Sequence, residues 1–173
     1  GTESNSKPFY YDKSAGKVVA ASDHIGGDKV VKISPGIIQK FNISGNELFQ
    51  SIFTQAGNLN SSAGIGVLQS NSGTVYDADG NEYTLNLEYS MTAANTYELK
   101  YSVLDSDSNI IADNTVTDIT FDPETGEFKS VGSESFGEIK VQIPDNKIDF
   151  IIDLNSLSES NSASSLRNSL SQK

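Results

Sequence analysis

Two short runs place oxygen-bearing side chains at alternate positions: Asp105-Ser106-Asp107-Ser108-Asn109 and Asp77-Ala78-Asp79-Gly80-Asn81. A D-x-D-x-N spacing opens a calcium loop, because alternate residues can turn their oxygens toward one cation. The first run departs from that pattern beyond its opening. Its sixth position is Ile110, where the sharp turn needs Gly, and its twelfth is Val116, where a bidentate Glu belongs. In the second run, hairpin chemistry around Gly80 accounts for Asp77, Asp79 and Asn81. Both runs read as polar turns in which Asp and Asn bond nearby backbone, and no metal ligand is assigned.

The other routes to chemistry close in the same way. His24 is the sole histidine, so the chain holds no two-His metal site, and no G-x-S-x-G segment partners it. It reads as an exposed loop residue, and Gly26-Gly27 beside it as a turn. There is no Cys for a thiolate, a disulfide or a nucleophile, and no Trp for a sugar platform. Many of the carboxylates fall in turns or on the wet faces of strands. The reading is therefore of no enzyme, no cofactor and no small-molecule substrate. Tyr83, Tyr89, Tyr97 and Tyr101 share strand parity with Leu85, Leu87, Leu99 and Val103, which assigns them to core packing rather than to a ligand strip.

The net charge is −11, with 12 basic and 23 acidic residues. A surface of that sign repels nucleic acid and anionic lipid, and no Lys/Arg cluster offsets it. No apolar run approaches the 18 residues of a membrane-spanning helix. The chain opens Gly1-Thr2 without a basic-then-apolar leader, which reads as a mature form or an excised fragment.

The elements that carry these residues are almost all strands. Phe9–Tyr11, Lys17–Ala21, Asp28–Ile33 and Ile37–Ile43 read as strands, the last two joined by a turn at Ser34-Pro35-Gly36. One short helix is expected over Ser44–Phe53, where Leu48, Phe49, Ile52 and Phe53 line one face. Ala56–Ala63, rich in Gly, Asn and Ser, reads as a linker or exposed loop. Short strands follow at Ile65–Leu68 and Thr74–Tyr76. Asp79-Gly80 then makes a type I′ hairpin into Glu82–Tyr89, whose period of two sends Tyr83, Leu85, Leu87 and Tyr89 inward. Thr96–Leu104 repeats the pattern, and Ile110–Ala112 and Val116–Phe121 continue it. In Asp122-Pro123-Glu124-Thr125-Gly126, Pro123 takes the first corner and Gly126 closes a type I turn with a bulge. Glu127–Val131, Gly137–Ile143 and Lys147–Leu154 close the set. Strands at this spacing predict an antiparallel β-barrel or sandwich. Asn155–Lys173 has Ser at eight of nineteen positions and reads as an extended crossing or linker.

Three of these segments, in order, resemble the outer β-domain of bacterial flagellar hook proteins. Thr74-Val75-Tyr76-Asp77-Ala78-Asp79-Gly80-Asn81 is similar to a "VYD-x-x-GN" turn of that family. Ile119–Phe128 resembles a later "F-D-x-x-G-x-L" hairpin, with Phe128 in place of an aliphatic residue. Ile148–Leu157 resembles a closing strand that ends in "D-L-x-x-L". In the first third, Gly27-Asp28, Pro35-Gly36 and Asn42-Ile43-Ser44-Gly45 with Phe49 resemble, more loosely, elements of a small domain in flagellin-like junction proteins.

The resemblance implies a mainly β structural protein of the flagellum, outside the cell. Its outer domain would be of hook-protein type, over 61–157. A small β-rich flagellin-like domain over 1–60, with the one short helix, would precede it. A Ser-rich return or linker would follow over 158–173. Hook-associated protein 3, at the hook–filament junction, is the implied family member, with neighbouring copies, hook-associated protein 1 and flagellin as partners. The hook protein itself is the near alternative. Both families polymerise through long helical ends, and their heptad-like apolar pattern is not found here, so the resemblance implies a surface-exposed middle portion. Contacts between subunits would fall on exposed loops such as Ser70-Asn71-Ser72 and Asp105–Asn109. A surface adhesin or carbohydrate-binding sandwich shares the Ser/Asn/Thr richness and stands as the reading from another class.

Overall fold

The computed structural model describes residues 9–13, 17–20, 30–34, 37–40 and 50–172. The chain divides into two compact units, Gly1–Gln50 with Lys173, and Ser51–Gln172.

In the first unit, β1 (Phe9–Asp12) pairs antiparallel with β2 (Lys17–Ala20), from Phe9↔Ala20 to Asp12↔Lys17. A second hairpin joins β3 (Val30–Ser34) to β4 (Ile37–Lys40), with a register shift between Lys32 and Ser34. Both are β-branched or aromatic runs separated by turn residues, as the sequence suggests. His24, Gly26-Gly27 and the first part of the expected helix, 44–49, lie outside the described residues.

The second unit is two sheets around one core. The larger sheet is a meander of β6 (Leu68–Tyr76), β7 (Glu82–Ala93), β8 (Thr96–Leu104), β9 (Ile110–Phe121) and β10 (Phe128–Val131), each antiparallel to the next. The smaller sheet runs β11 (Glu138–Ile143), β12 (Ile148–Ser160), β5 (Ser51–Asn60), β13 (Ser165–Gln172). There β11 and β13 pair antiparallel, but β12 and β5 run parallel. The expected sandwich architecture is present, and one of its two sheets is mixed.

Alternation builds the core. Leu85, Leu87 and Tyr89 on β7 and Tyr97, Leu99, Tyr101 and Val103 on β8 are buried, as are Ile119 and Phe121 on β9. From the mixed sheet, Phe53, Leu59, Val141, Ile148, Phe150, Ile152, Leu154 and Leu157 meet them in one cluster. Three of the four Tyr assigned to the core are buried there, and Tyr83 packs half-buried against its margin.

Three expectations change in the mixed sheet. Ser51, Ile52 and Phe53, the end of the expected helix, begin β5. The expected linker Ala56–Ala63 supplies the rest of that strand as far as Asn60. Phe53, Gln55 and Leu59 face inward at a period of two, and the polar member is satisfied. Gln55 Nε2 donates to the Arg167 carbonyl at 2.8 Å, and Gln55 Oε1 accepts from Asn71 Nδ2 at 3.4 Å. The Ser-rich tail completes β12 and forms β13, which is hydrogen-bonded along β5 from Asn58↔Ser165 to Ser51↔Gln172.

Candidate interaction surfaces

The unit Ser51–Gln172 has two distinct ends. Ser51, Phe150 and Gln172 lie side by side at the first, so the first and last residues of the unit meet there. This end also carries the β6–β7 and β8–β9 turns and a 3-10 turn at Pro144–Asn146. The far end carries the β5–β6, β7–β8, β9–β10 and β12–β13 connections.

The two Asp-rich runs are the β6–β7 and β8–β9 turns, and they have the same internal geometry. Asp77 N–H donates to the Asn81 carbonyl (3.1 Å), and Gly80 N–H to the Asp77 carbonyl (3.1 Å). Asp105 N–H donates to the Asn109 carbonyl (3.0 Å), and Ser108 N–H to the Asp105 carbonyl (3.0 Å). Within each turn the first Asp accepts two backbone N–H bonds: Asp77 Oδ1 from Asp79 and Asn81, and Asp105 Oδ1 from Asp107 and Asn109. The closing Asn side chain returns to the same carboxylate.

The expected type I′ turn at Asp79-Gly80 is not formed. Of its central residues only Gly80 has positive φ (85°), so this is a three-residue loop: a type I turn closed by one left-handed residue. Ser108 takes the same position at φ 65°. The oxygens that spell a calcium loop in sequence are thus used by the backbone. Among the described residues, no group of three or more His, Cys, Asp or Glu is placed to hold a metal ion.

Hydrogen bonding favours the ionised form of the aspartates in these turns. Partial desolvation pushes the Asp77 carboxyl up, but the bonds from Asn81, Asp79 and Tyr83 outweigh it and hold the group below the usual carboxylate range. The Asn109 side chain and backbone hold Asp105 down in the same way. Backbone donors from Glu124 and Thr125 do so for Asp122, in the β9–β10 turn. That last turn has the expected form: Gly126 is left-handed (φ 74°), and its N–H closes on the Asp122 carbonyl at 2.8 Å.

The two sibling turns differ in what surrounds them. The Asp77–Asn81 turn is docked on the 3-10 turn of the other sheet. Lys147 Nζ donates to Asp79 Oδ2 at 2.7 Å, and Ala78 N–H donates to the Lys147 carbonyl at 3.0 Å. The bond to Asp79 raises the Lys147 pKa. The Asp105–Asn109 turn is exposed and has no such docking partner among the described residues. Ser70-Asn71-Ser72 is not a loop: it lies within edge strand β6, where the Ser72 carbonyl accepts from Asn168 Nδ2 of β13 (2.8 Å).

At the far end a carboxylate joins the sheets. Glu159 of β12 is buried, and its Oε1 accepts a short hydrogen bond from Asn95 Nδ2 in the β7–β8 turn. Its N–H donates to the Gly126 carbonyl at 2.8 Å. Burial and the Glu159 carboxylate both push the Tyr97 hydroxyl pKa up. Outside this point, Ile65, Val67 and Leu68 are exposed before and at the start of β6, Ile110 beside the β8–β9 turn, and Phe136 before β11. Sequence reasoning placed Ile65–Leu68 in a strand and did not find these exposed side chains. An apolar residue just outside a strand carries no periodic signal of which way it faces.

Compared with known proteins, residues 61–173, just under two thirds of the chain, match the family model of the flagellar basal body protein FlaE D2 domain. No curated protein matches the chain.

Proposed function

We propose a mechanical role, on the premise that the chain belongs to the flagellar basal body protein FlaE D2 domain family and is a structural, hook-type component of the bacterial flagellum. The observation that carries the proposal is the pairing of Ser51 with Gln172. The first and last residues of the unit meet at one end of the sandwich, so a body held at that end stands away from what holds it. A β-sandwich with one continuous core resists deformation, which suits a spacer that meets its neighbours side to side. Its partners would be other axial proteins of the flagellum: neighbouring copies, hook-associated protein 1 and flagellin.

Within the family, the finer reading is the surface-exposed part of the hook–filament junction protein, hook-associated protein 3, outside the cell. It is supported by the motifs of the first third, Gly27-Asp28, Pro35-Gly36 and Asn42–Gly45 with Phe49. The match over 61–173 favours a second reading, the outer domain of the hook protein itself.

Immunogold electron microscopy of intact cells and purified flagella, with antibody raised against this chain, separates the two. Gold confined to a band between hook and filament is the expected result. Gold along the whole hook selects the hook protein. Gold over the general cell surface rejects both and favours an adhesin.

A further inference from the structure

We propose that the free Asp105–Asn109 turn is a docking knob for a second copy of this chain, seated on the open edge of β11 beside Lys140. The contact rests on the reading of this domain as an assembling spacer. The molecule shows what such a turn binds. The sibling turn, with the same hydrogen bonds and the same left-handed fourth residue, receives one lysine and one backbone carbonyl: Lys147 Nζ on the carboxylate of Asp79, and the Lys147 carbonyl on the N–H of Ala78. The equivalent groups of the free turn are the Asp107 carboxylate and the Ser106 N–H. Neither has a partner among the described residues, and both residues are exposed.

The β11 edge offers the complementary set. Of the four sheet edges in the unit Ser51–Gln172, β6 and β13 face each other through Asn168 and Ser72. β10 is continued by a bridge from Glu127 to Ser158. β11 pairs only with β12, which leaves its outer carbonyls unpaired among the described residues. Lys140 sits in the middle of that strand, exposed and without an ion pair among the described residues. A lysine on an open edge discourages the addition of another strand, but it is what a turn of this type takes. Each side also carries an exposed apolar residue, Ile110 (62%) next to the turn and Phe136 (71%) just before β11. The knob thus presents acid and aliphatic, and the edge presents base and aromatic. Used once per pair of copies, the contact is heterologous and leaves a knob and an edge open for further copies; used twice, it closes a two-fold dimer.

The test is carbodiimide coupling of the 173-residue chain at physiological ionic strength, where screening limits the repulsion expected between copies of net charge −11. Carbodiimide joins a carboxylate to an amine only where they touch. The expected result is a dimer band containing an Asp107–Lys140 isopeptide by mass spectrometry, cut at least tenfold in Asp107→Asn and in Lys140→Gln. Dimers lacking that link, or no dimers, overturn the proposal. If the link is absent while gold labels the flagellum, the contact alone falls. If the link is present while gold labels elsewhere, the flagellar reading falls and the contact stands.

Discussion

In the five-stranded sheet every strand pairs with its neighbour in the chain, so each pairing is closed by a short turn. The four-stranded sheet takes its strands from positions as far apart as Ser51 and Gln172, and its central pair, β5 and β12, is parallel. The first sheet is therefore specified locally, through turn chemistry and alternation. The second, apart from its β11–β12 hairpin, depends on contacts that form only after long loops have closed. Left-handed glycines are packed tightly where the sheets meet other backbone: Gly57 (φ 104°) is pressed against β13 and Gly126 (φ 74°), in the β9–β10 turn, against Glu159, whereas Gly80 at the tip of the β6–β7 turn has open space around it.

The largest expected effect tests that contrast directly. A Cβ on Gly57 would lie 1.9 Å from the Ser165 carbonyl oxygen, which is backbone and cannot rotate away. Gly57→Ala should cost about 3 kcal/mol or more, from strain and clash together. Urea denaturation showing a loss below about 1 kcal/mol would mean that β13 is not held on β5 in this register. Gly80→Val should cost less, about 1–2 kcal/mol, because only the left-handed backbone is penalised. An unchanged melt would reject the turn assignment, and a cost equal to that of Gly57→Ala would erase the distinction between an open and a pressed left-handed glycine.

A smaller effect is expected inside the meander core. The Tyr89 hydroxyl is buried without a hydrogen bond among the described residues, and burial raises its pKa. Tyr89→Phe removes an unsatisfied group at nearly constant shape. Stability should stay within about 1 kcal/mol of the parent, or rise. A clear loss in a calorimetric scan would show that the hydroxyl has a partner.

The smallest effect is acid sensitivity confined to the meander turns. Asp77, Asp105 and Asp122 are held below the ordinary carboxylate range in the folded state. Their contribution is present in full above the unfolded value, near 4, and is lost as pH falls through the depressed folded values. Hydrogen exchange at falling pH should release the amides of Asp79, Asn81, Asp107, Asn109, Glu124 and Thr125 before those of β5 and β12. Simultaneous release would show that the two sheets open as one unit.

The meander was legible because its information is local. The period of two in Glu82–Tyr89 and Thr96–Leu104 named the buried faces, and Asp/Gly and Pro/Gly pairs marked the turns. The turn type at Gly80 was misjudged because Asp-Gly suits both a two-residue type I′ turn and a type I turn with a left-handed closing residue. Asp77, reaching forward to two amides, selects the second. Strand β5 was obscured because two of its inward positions hold Gln55 and Gly57, so its alternation is hidden from any hydrophobic count. Leu48, Phe49, Ile52 and Phe53 meanwhile mimic a helical face.

The sequence by itself determined the β class, the meander with its core residues, the polar character of the Asp-rich turns and the resemblance to a flagellar outer domain, because each rests on neighbours within about a dozen residues. Only the tertiary structure decided that a polar segment and a Ser-rich tail become β5 and β13, that β5 runs parallel to β12, and that one of two like turns is docked while its sibling has no such partner among the described residues. Those outcomes depend on which distant partner satisfies a backbone or a buried polar side chain. Gln55 finds the Arg167 carbonyl, and Asp79 finds Lys147, only once the chain has closed around its core.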